Sequence, residues 1–403
     1  ISAYSCRDIF FNDLLLQKSR EALLDIADFS TDIDALIFVG LPISHNGKLY
    51  NVAAAVNKGH ILGLVPKLNV PNYGEFYETR QFTPGFIEPT EIRIGDEFVP
   101  FGAGLLFECV GMPELKVGAE ICEDLWVPMP PSTQLALNGA SVIANLSASN
   151  EITGKSAYRR ELVADQSARS YSAYIYANAA WEESTTDVVF SGHNVIAEAG
   201  TVLKESKLFT TGVIMTEIDL NLIKSRREHM STFPAAENDY ADTFIPETLY
   251  FDLEDTETVL TRFIDPHPFV PSDNTKRERR CEEILDIQTY GLMKRIKHTG
   301  AKTAVIGISG GLDSTLALIV AVRAFDKLGL SREGVIGVTM PGFGTTDRTY
   351  DNAVSLIHEL GISFKEINIS EAVRLHFKEI EHDESVHDTT YENCQARMRT
   401  MLL

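Results

Sequence analysis

The sequence predicts an α/β protein with two domains, a mixed-sheet domain followed by a doubly wound parallel sheet. Two patterns predict this. Up to about residue 223, short β-like runs are separated by turns and helical segments. From residue 282 onward, apolar strand-like runs and helical segments alternate one for one, the signature of a parallel sheet covered by helices. The length of 403 residues agrees, since roughly 150 residues per domain calls for two or three domains.

In the first domain, Leu36-Ile37-Phe38-Val39, the alternating segment Leu49 to Val56, and His60 to Val65 read as strands. Asn46-Gly47 and Lys58-Gly59 supply the turns between them. Ser141 to Leu146 and Ala173 to Asn178 read as buried strands, and Glu161 to Tyr171 as a helix. Residues 231–271 hold five of the sixteen prolines, at 234, 246, 266, 268 and 271, and read as an extended connector. The run Lys276-Arg277-Glu278-Arg279-Arg280 reads as the solvated start of a helix. In the second domain Thr303 to Ile308 is short and nearly all apolar, as for a strand buried on both faces. A helix with Leu316, Ile319, Val320 and Ala324 on one face follows. Then come strand Gly334 to Met340, helix Asp347 to Leu360, strand Ser363 to Ile369 and another helix. The expected boundaries are 1–223, a connector over 224–281, and 282–403.

Composition excludes several classes. Hydrophobic residues make up 44% and charged residues 23%, ordinary for a globular protein, which sets aside disorder, collagen and coiled coil. No stretch approaches 18 uncharged apolar residues, so no membrane span is expected. The net charge of −21 opposes any broad nucleic-acid surface, although backbone N–H groups and Mg²⁺ can still bind a nucleotide locally. Cysteines 6, 109, 122, 281 and 394 form no CxxC pair, which fits a reducing cytoplasm. The chain opens Ile1-Ser2-Ala3-Tyr4 without an initiator Met or a signal pattern, and ends inside a helical segment. The expectation is that both ends are cut.

Ser309-Gly310-Gly311-Leu312-Asp313-Ser314-Thr315 lies between the first strand and first helix of the second domain. Two glycines allow close backbone approach to a phosphate, the hydroxyls of Ser309, Ser314 and Thr315 donate, and the helix N-terminus adds positive charge. Asp313 would repel a phosphate unless it holds Mg²⁺, a cation that prefers carboxylate plus phosphate oxygens. The pattern G-x-x-x-x-G-K-[ST] is absent, so this is a different phosphate cradle. It resembles the loop of the ATP pyrophosphatases, which implies attack of a substrate oxygen on the α phosphorus of ATP to give an adenylate and pyrophosphate. By itself the loop names no substrate.

In the first domain, Ala119-Glu120-Ile121-Cys122-Glu123-Asp124-Leu125-Trp126 puts a cysteine just past an apolar run. Val65-Pro66-Lys67 is followed by Tyr73-Gly74-Glu75-Phe76-Tyr77-Glu78. Taken alone, the cysteine would be a core residue and the lysine a surface charge. Together the segments resemble the nitrilase, or carbon–nitrogen hydrolase, superfamily, which implies a nitrilase-like αββα sandwich and a Glu-Lys-Cys triad. The resemblance assigns Cys122 as nucleophile, Lys67 as the group stabilising the tetrahedral intermediate, and Glu75 as a second glutamate beside the triad. The general-base glutamate of that family falls a few residues before Ile1, so the fragment is expected to be inactive alone. Where that family usually has Gly, this chain has Ala3, and Ala180-Trp181-Glu182 replaces a Gly-rich run.

A nitrilase-type amidase joined to an ATP-pyrophosphatase loop resembles the glutamine-dependent NAD⁺ synthetases. Further matching segments are Glu183-Ser184-Thr185-Thr186-Asp187, Pro341-Gly342-Phe343-Gly344-Thr345-Thr346 and Glu392-Asn393-Cys394-Gln395-Ala396-Arg397. The resemblance implies ATP-dependent amidation of deamido-NAD⁺ with ammonia released from glutamine and passed through a protein channel. It implies a Rossmann-like second domain of the adenine nucleotide α-hydrolase type, with ATP and Mg²⁺ as cofactors. Tyr73, Glu123, Ser149 and Lys155 would hold glutamine. Ser309, Gly310, Gly311, Asp313 and Ser314 would hold ATP, with Asp313 on the metal. Met340 either lines the adenine site or packs in the core. Asn393 and Arg399 would face deamido-NAD⁺, although a surface salt bridge is the other reading of Arg399. A cytoplasmic homo-oligomer is implied, with no nucleic-acid or membrane partner. Two alternatives stand beside this: an amidotransferase of the same architecture for another carboxylate, and a non-catalytic scaffold.

Overall fold

The structure, a computed structural model, describes residues 1–183, 187–233, 244–343 and 347–403. Parts of the quoted segments 183–187 and 341–346 therefore lie outside the described residues. The described chain divides into two compact units, Ile1–Phe263 and Ile264–Leu403.

The first unit holds two sheets. Strands β1 (Ile37–His45), β2 (Lys48–Asn57), β3 (His60–Pro66), β4 (Thr90–Ile94) and β5 (Glu97–Phe101) form one, in the order β1-β2-β3-β5-β4. The second holds β6 (Leu105–Cys109), β7 (Lys116–Ile121), β8 (Val142–Ser147), β9 (Ala173–Asn178), β10 (Val195–Glu198), β11 (Thr201–Glu205) and β12 (Glu247–Phe251). Its order is β11-β10-β9-β8-β7-β6-β12, with β7, β8 and β9 parallel. Helices are α1 (Asp13–Phe29), α2 (Pro131–Leu137), α3 (Lys155–Ser170) and α4 (Leu220–His229).

Alternation along the strands creates four layers. On β2 and β3, Val52, Ala54, Val56 and Leu64 pack with Leu23 and Ala27 of α1. Their neighbours Ala53, Ala55 and Val65 pack against Leu105, Phe107, Ala119 and Ile121 of the second sheet. The opposite face of that sheet, with Ile143, Tyr174 and Tyr176, covers Leu135 of α2 and Val163 of α3. The result is an αββα sandwich. Small residues on β2 bring the sheets together, and Phe38 and Phe107 meet edge to face across the gap at 5.5 Å.

The second unit contains β13 (Ala304–Gly307), β14 (Val335–Thr339) and β15 (Ser363–Glu366), all parallel and in that order. Helices α5 (Asn274–Thr299), α6 (Leu312–Leu328) and α7 (Asp347–Glu359) cover one face, while α8 (Ser370–Glu379) and α9 (Thr389–Leu402) cover the other. This is the doubly wound arrangement. Among the described residues no helix is long and apolar enough to cross a membrane.

Three local expectations change. The stretch read as a connector contributes β12, whose Glu247–Phe251 pairs in parallel with β6 at the end of the second sheet. Strand β13 is not buried on both faces, since Val305 is 46% exposed: among the described residues it pairs with β14 alone and forms a sheet edge. On α6 the fully buried positions are Leu318, Ala321, Val322 and Phe325 together with Val320 and Ala324, whereas Leu316 is 39% exposed. The apolar stripe is broad, and the first turn, which opens the phosphate-type loop, stays in solvent.

Phe107 bridges the two sheets with no exposed surface. Phe107→Ala is expected to lower stability by about 3–5 kcal/mol. Phe98→Ala, at an exposed position on β5, should change it by no more than about 0.5 kcal/mol. Urea midpoints compare the two directly; equal losses would contradict the layered core.

Candidate active site

Strand ends deliver the site in the first unit. Lys67 follows β3, where Pro66 closes the strand, and its backbone N–H still donates to Asn51 O at 2.8 Å. Gly85 N–H donates to the Lys67 carbonyl at 2.8 Å, so the main chain is held from both sides. The side chain turns inward and is buried, with its ammonium on the buried carboxylate of Glu78. The second Glu78 oxygen accepts from Asn51 Nδ2 at 3.0 Å. Burial alone would lower the Lys67 pKa, but its neighbours, led by the charge of Glu78 and aided by the hydrogen bond to it, outweigh burial and the net shift is upward. This lysine stays an ammonium.

Cys122 comes directly after β7, in the 3₁₀ turn Cys122–Leu125. Its φ is +48°, in the left-handed region that non-glycine residues seldom adopt. Such strained strand-to-helix turns present nucleophiles. The turn is pinned by buried Asp124, which accepts from Ile121 N at 3.0 Å and from the Asn69 backbone and side chain at 2.8 and 2.9 Å. Burial pushes the Cys122 thiol up. Lys67 pulls it down, Glu78 pushes it up again, and hydrogen bonds at Ser147 and Ala148 pull it down. The net shift is upward, so the resting thiol keeps its proton and a base must remove it as sulfur attacks.

Cys122 and Lys67 line two cavities together. One, of about 350 Å³, also touches Tyr4, Ser147 and Asn178. The other, of about 440 Å³, brings together Tyr73, Glu75, Glu123, Ser149 and Lys155, with Trp126 on its wall. Tyr73 OH donates to Glu123 Oε1 at 2.7 Å. The Lys155 ammonium lies 5.4 Å from the Phe76 ring centre and 5.3 Å from that of Trp126, and burial draws its pKa down. It also donates to Asn150 Oδ1, while Asn150 Nδ2 donates to Glu75. Asn178 clamps Ser149 by accepting from its N–H at 2.8 Å and donating to its carbonyl at 3.1 Å. All seven residues expected in this unit thus border one cavity. The carboxylate on Lys67 is Glu78. Glu75 contacts Asn150, and hydrogen bonds from its own backbone N–H and from Asn150 hold its pKa low.

In the second unit the loop after β13 is exposed. Gly310 has φ +80°, a conformation that favours glycine, and Gly311 precedes the first turn of α6. Ser314 Oγ donates to Gly311 O at 3.0 Å, Thr315 Oγ1 donates to the same oxygen at 2.9 Å, and Gly311 N–H donates to Ser309 Oγ at 3.3 Å. A cavity of about 550 Å³ at the strand ends is lined by Ser309, Met340, Gln395 and Arg399. Met340 is buried, and its carbonyl accepts from Arg399 Nε at 3.4 Å. Gly310 and Gly311 lie on the adjoining loop, Asp313 and Ser314 in the first turn of α6, and Asn393 is exposed on α9 outside the cavity lining. Burial lowers the Arg399 pKa.

Sequence reasoning missed Glu78, Asn145, Tyr174 and the pinning role of Asp124. A signal for Glu78 existed, since Tyr73-Gly74-Glu75-Phe76-Tyr77-Glu78 offers two carboxylates. Nothing in the spacing says which one reaches Lys67.

The fold and this constellation define a class: an αββα sandwich with a strained cysteine and a buried lysine–glutamate pair at its strand ends. The family model for carbon–nitrogen hydrolases matches residues 4–228, more than half of the chain, and the chain belongs to that family. A model for NAD synthase matches residues 284–403. The chain is 41% identical over 409 residues to the glutamine-dependent NAD(+) synthetase of Mycobacterium tuberculosis (strain ATCC 25618 / H37Rv), covering 99% of this chain and 60% of that protein. It is 30% identical to the Thermotoga maritima glutamine-dependent NAD(+) synthetase, covering 99% of this chain and 63% of that one. The crystal structure of a glutamine-dependent NAD(+) synthetase from Cytophaga hutchinsonii aligns with a TM-score of 0.48 at 22% identity, over 100% of this chain and 64% of that chain. This chain spans about 60% of the length of the curated mycobacterial relatives it matches.

Glu78→Gln leaves a buried ammonium without its counter-charge, with an expected loss of about 3–5 kcal/mol of stability. Adding Lys67→Met should recover part of that loss, because the unpaired charge is then gone. A double-mutant cycle by denaturant unfolding measures both; additive losses would rule out the pairing.

Proposed function

We propose that this chain belongs to a glutamine-dependent NAD⁺ synthetase that amidates deamido-NAD⁺ at the expense of ATP. One observation carries the reading: a Cys122–Lys67–Glu78 constellation on an αββα sandwich and an S-G-G-L-D-S-T strand–loop–helix occur in one chain. The sequence likenesses to glutamine-dependent NAD(+) synthetases support it.

In the first unit Cys122 sulfur attacks the side-chain amide carbon of glutamine, and the Lys67 ammonium stabilises the oxyanion that forms. The C–N bond breaks, the departing nitrogen takes up the proton given up by the thiol and leaves as ammonia, and a glutamyl thioester remains for water to hydrolyse to glutamate. Tyr73, Glu123, Ser149 and Lys155 would hold the amino-acid part. Glu78 keeps Lys67 charged and aimed, and Glu75 holds Asn150 in place.

In the second unit a carboxylate oxygen of the nicotinate ring attacks the α phosphorus of ATP and releases pyrophosphate. Ammonia then attacks the acyl adenylate and AMP leaves, giving NAD⁺. Ser309, Gly310, Gly311 and Ser314 would cradle the phosphates at the α6 N-terminus, and Met340 would border the base. The donor set fits Mg²⁺, because one carboxylate, Asp313, stands beside a phosphate loop and this cation takes one or two carboxylates plus substrate oxygens. Bound there it would neutralise phosphate charge. Arg399 would pair with a phosphate, and Asn393 would contact deamido-NAD⁺ from the same helix. The protein would work in the cytoplasm as a homo-oligomer, a compartment that suits five cysteines free of disulfides.

The test uses the full-length protein with MgATP and deamido-NAD⁺, supplied with either glutamine or ammonium. NAD⁺ should form with both, and Cys122→Ala should abolish the glutamine-dependent reaction and spare the ammonium-dependent one. Asp313→Asn should depress both while glutamine hydrolysis continues. No NAD⁺ from either nitrogen source would sink the reading and point to another carboxylate.

A further inference from the structure

Beneath the nucleophile, on the helix-covered side of the second sheet, runs a buried polar chain that the proposed mechanism does not use. Glu120 of β7, Asn145 of β8 and Tyr174 of β9 are each essentially inaccessible. Glu120 and Asn145 are register partners on neighbouring parallel strands. The Cys122 N–H donates to Asn145 Oδ1 at 3.2 Å, and Ser147 Oγ donates to the same oxygen at 2.6 Å. Asn145 Nδ2 donates to Tyr174 OH at 2.9 Å, and that hydroxyl donates to Glu120 Oε1. The second carboxylate oxygen accepts from Ser132 N–H of α2 at 2.7 Å. Gln166 of α3 closes the far end by donating to Ser132 Oγ and Thr133 Oγ1, both at 3.0 Å.

From Cys122 through Asn145 and Tyr174, each donated proton is directed towards Glu120. One of its oxygens takes the Tyr174 O–H and the other the Ser132 N–H, which gives Tyr174 an acceptor for its single proton. With that proton committed, the Tyr174 oxygen is open to Asn145 Nδ2. The carboxamide is then locked with its oxygen towards the Cys122 N–H. Place a proton on the Glu120 oxygen that faces Tyr174 and two hydroxyls meet with one proton too many, so the Tyr174 proton is turned away from Glu120 and the order that orients Asn145 is weakened.

We propose that Glu120 is a positioning residue for the nucleophile, acting through Tyr174 and Asn145 to hold the backbone N–H of Cys122 in its left-handed turn. The proposal rests on the reading of Cys122 as the attacking group. Glu120 touches neither thiol nor substrate.

The surroundings make the device sensitive to pH near neutrality. Burial pushes the Glu120 carboxyl up to about 7; Tyr174 pulls it down, Asp124 pushes it up, and Ser132 pulls it down. None of these neighbours is a cation. As pH rises through about 7 the carboxylate forms and the chain of donors aligns, so positioning improves. Stability carries the opposite sign. The folded-state value lies above the ordinary 4.5, so the folded protein holds a proton that the unfolded chain has released. This group's contribution is full below 4.5 and falls as pH climbs towards 7. Positioning and stability therefore move in opposite directions over the same window.

The experiment follows glutamate release by the full-length protein between about pH 5.5 and 8.5, with the thermal midpoint measured in parallel. Wild-type kcat should climb through an apparent pKa near 7 with no matching rise in thermal midpoint. Glu120→Gln should lose that limb and lower kcat about 10–100-fold at alkaline pH, with KM changed less than about twofold. Tyr174→Phe, which keeps the ring and removes the relay hydroxyl, should lower kcat in the same direction. A wild-type profile without the limb, or a limb that persists in Glu120→Gln, would overturn the proposal. Alkylation of Cys122 by iodoacetamide, with Cys122→Ala as blank, reads the same positioning without substrate. A wild type that hydrolyses no glutamine yet shows the alkylation step near pH 7 would refute the amidase reading and leave the positioning intact.

Discussion

The buried ion pair between Lys67 and Glu78 is the constraint on which the first unit depends. An ammonium this deep cannot persist without a counter-charge, because leaving one partner alone costs several kcal/mol. The segment that supplies Glu78 must therefore close over the strand ends. Its backbone does so: Glu78 N–H donates to Pro71 O at 3.2 Å, and Phe82 N–H donates to Glu78 O at 2.9 Å. Between those anchors lie Tyr73 and Glu75, two walls of the cavity at Cys122. One electrostatic requirement thus places the lysine, folds the loop and shapes the pocket. Asn51, which donates to Glu78 and receives the Lys67 N–H on its carbonyl, ties all three to β2.

The second unit solves a different problem by different means. Its loop after β13 offers backbone and hydroxyl groups at a helix start and uses little burial. Gly310 supplies a left-handed turn, and Ser314 and Thr315 both bond to the Gly311 carbonyl, which shapes the loop before any ligand arrives. The exposure of Leu316 follows from the same design, since a first helical turn that must face a charged ligand cannot be packed into a core.

Much of this was legible in sequence, and the reason is periodicity. Alternation on β2 and the apolar run of β14 report burial directly, so strands and class could be read. Edge position could not: Val305 looks like a core residue until the sheet order shows β13 with one neighbour among the described residues. Strand β12 was hidden in a proline-rich stretch because its pairing with β6 is set by contacts about 140 residues away. At the site, Cys122 and Lys67 stand out because their flanking residues are distinctive. Choosing between Glu75 and Glu78 requires knowing which side chain the loop turns inward, and that depends on the Asn51 and Pro71 contacts. Asn145 and Tyr174 carry no local signal at all, since their meaning comes from strand register.

The cysteine turn shows why so much polarity is buried beside it. A non-glycine residue at positive φ carries strain of about 1–3 kcal/mol and relaxes unless its surroundings hold it. Cys122 is flanked at two residues on either side by buried carboxylates with opposite assignments. Asp124 reaches to Ile121 and to Asn69 in the loop that follows Lys67. Glu120 reaches the other way, towards Tyr174 and α2. The first ties the turn to the lysine side of the sandwich, the second to the helix layer behind the sheet. Both carboxyls have their pKa pushed up by burial, so neither is there for net electrostatic stability. Their value lies in direction: each accepts backbone and side-chain donors that an apolar residue could not, and between them they leave the backbone at Cys122 little freedom to relax.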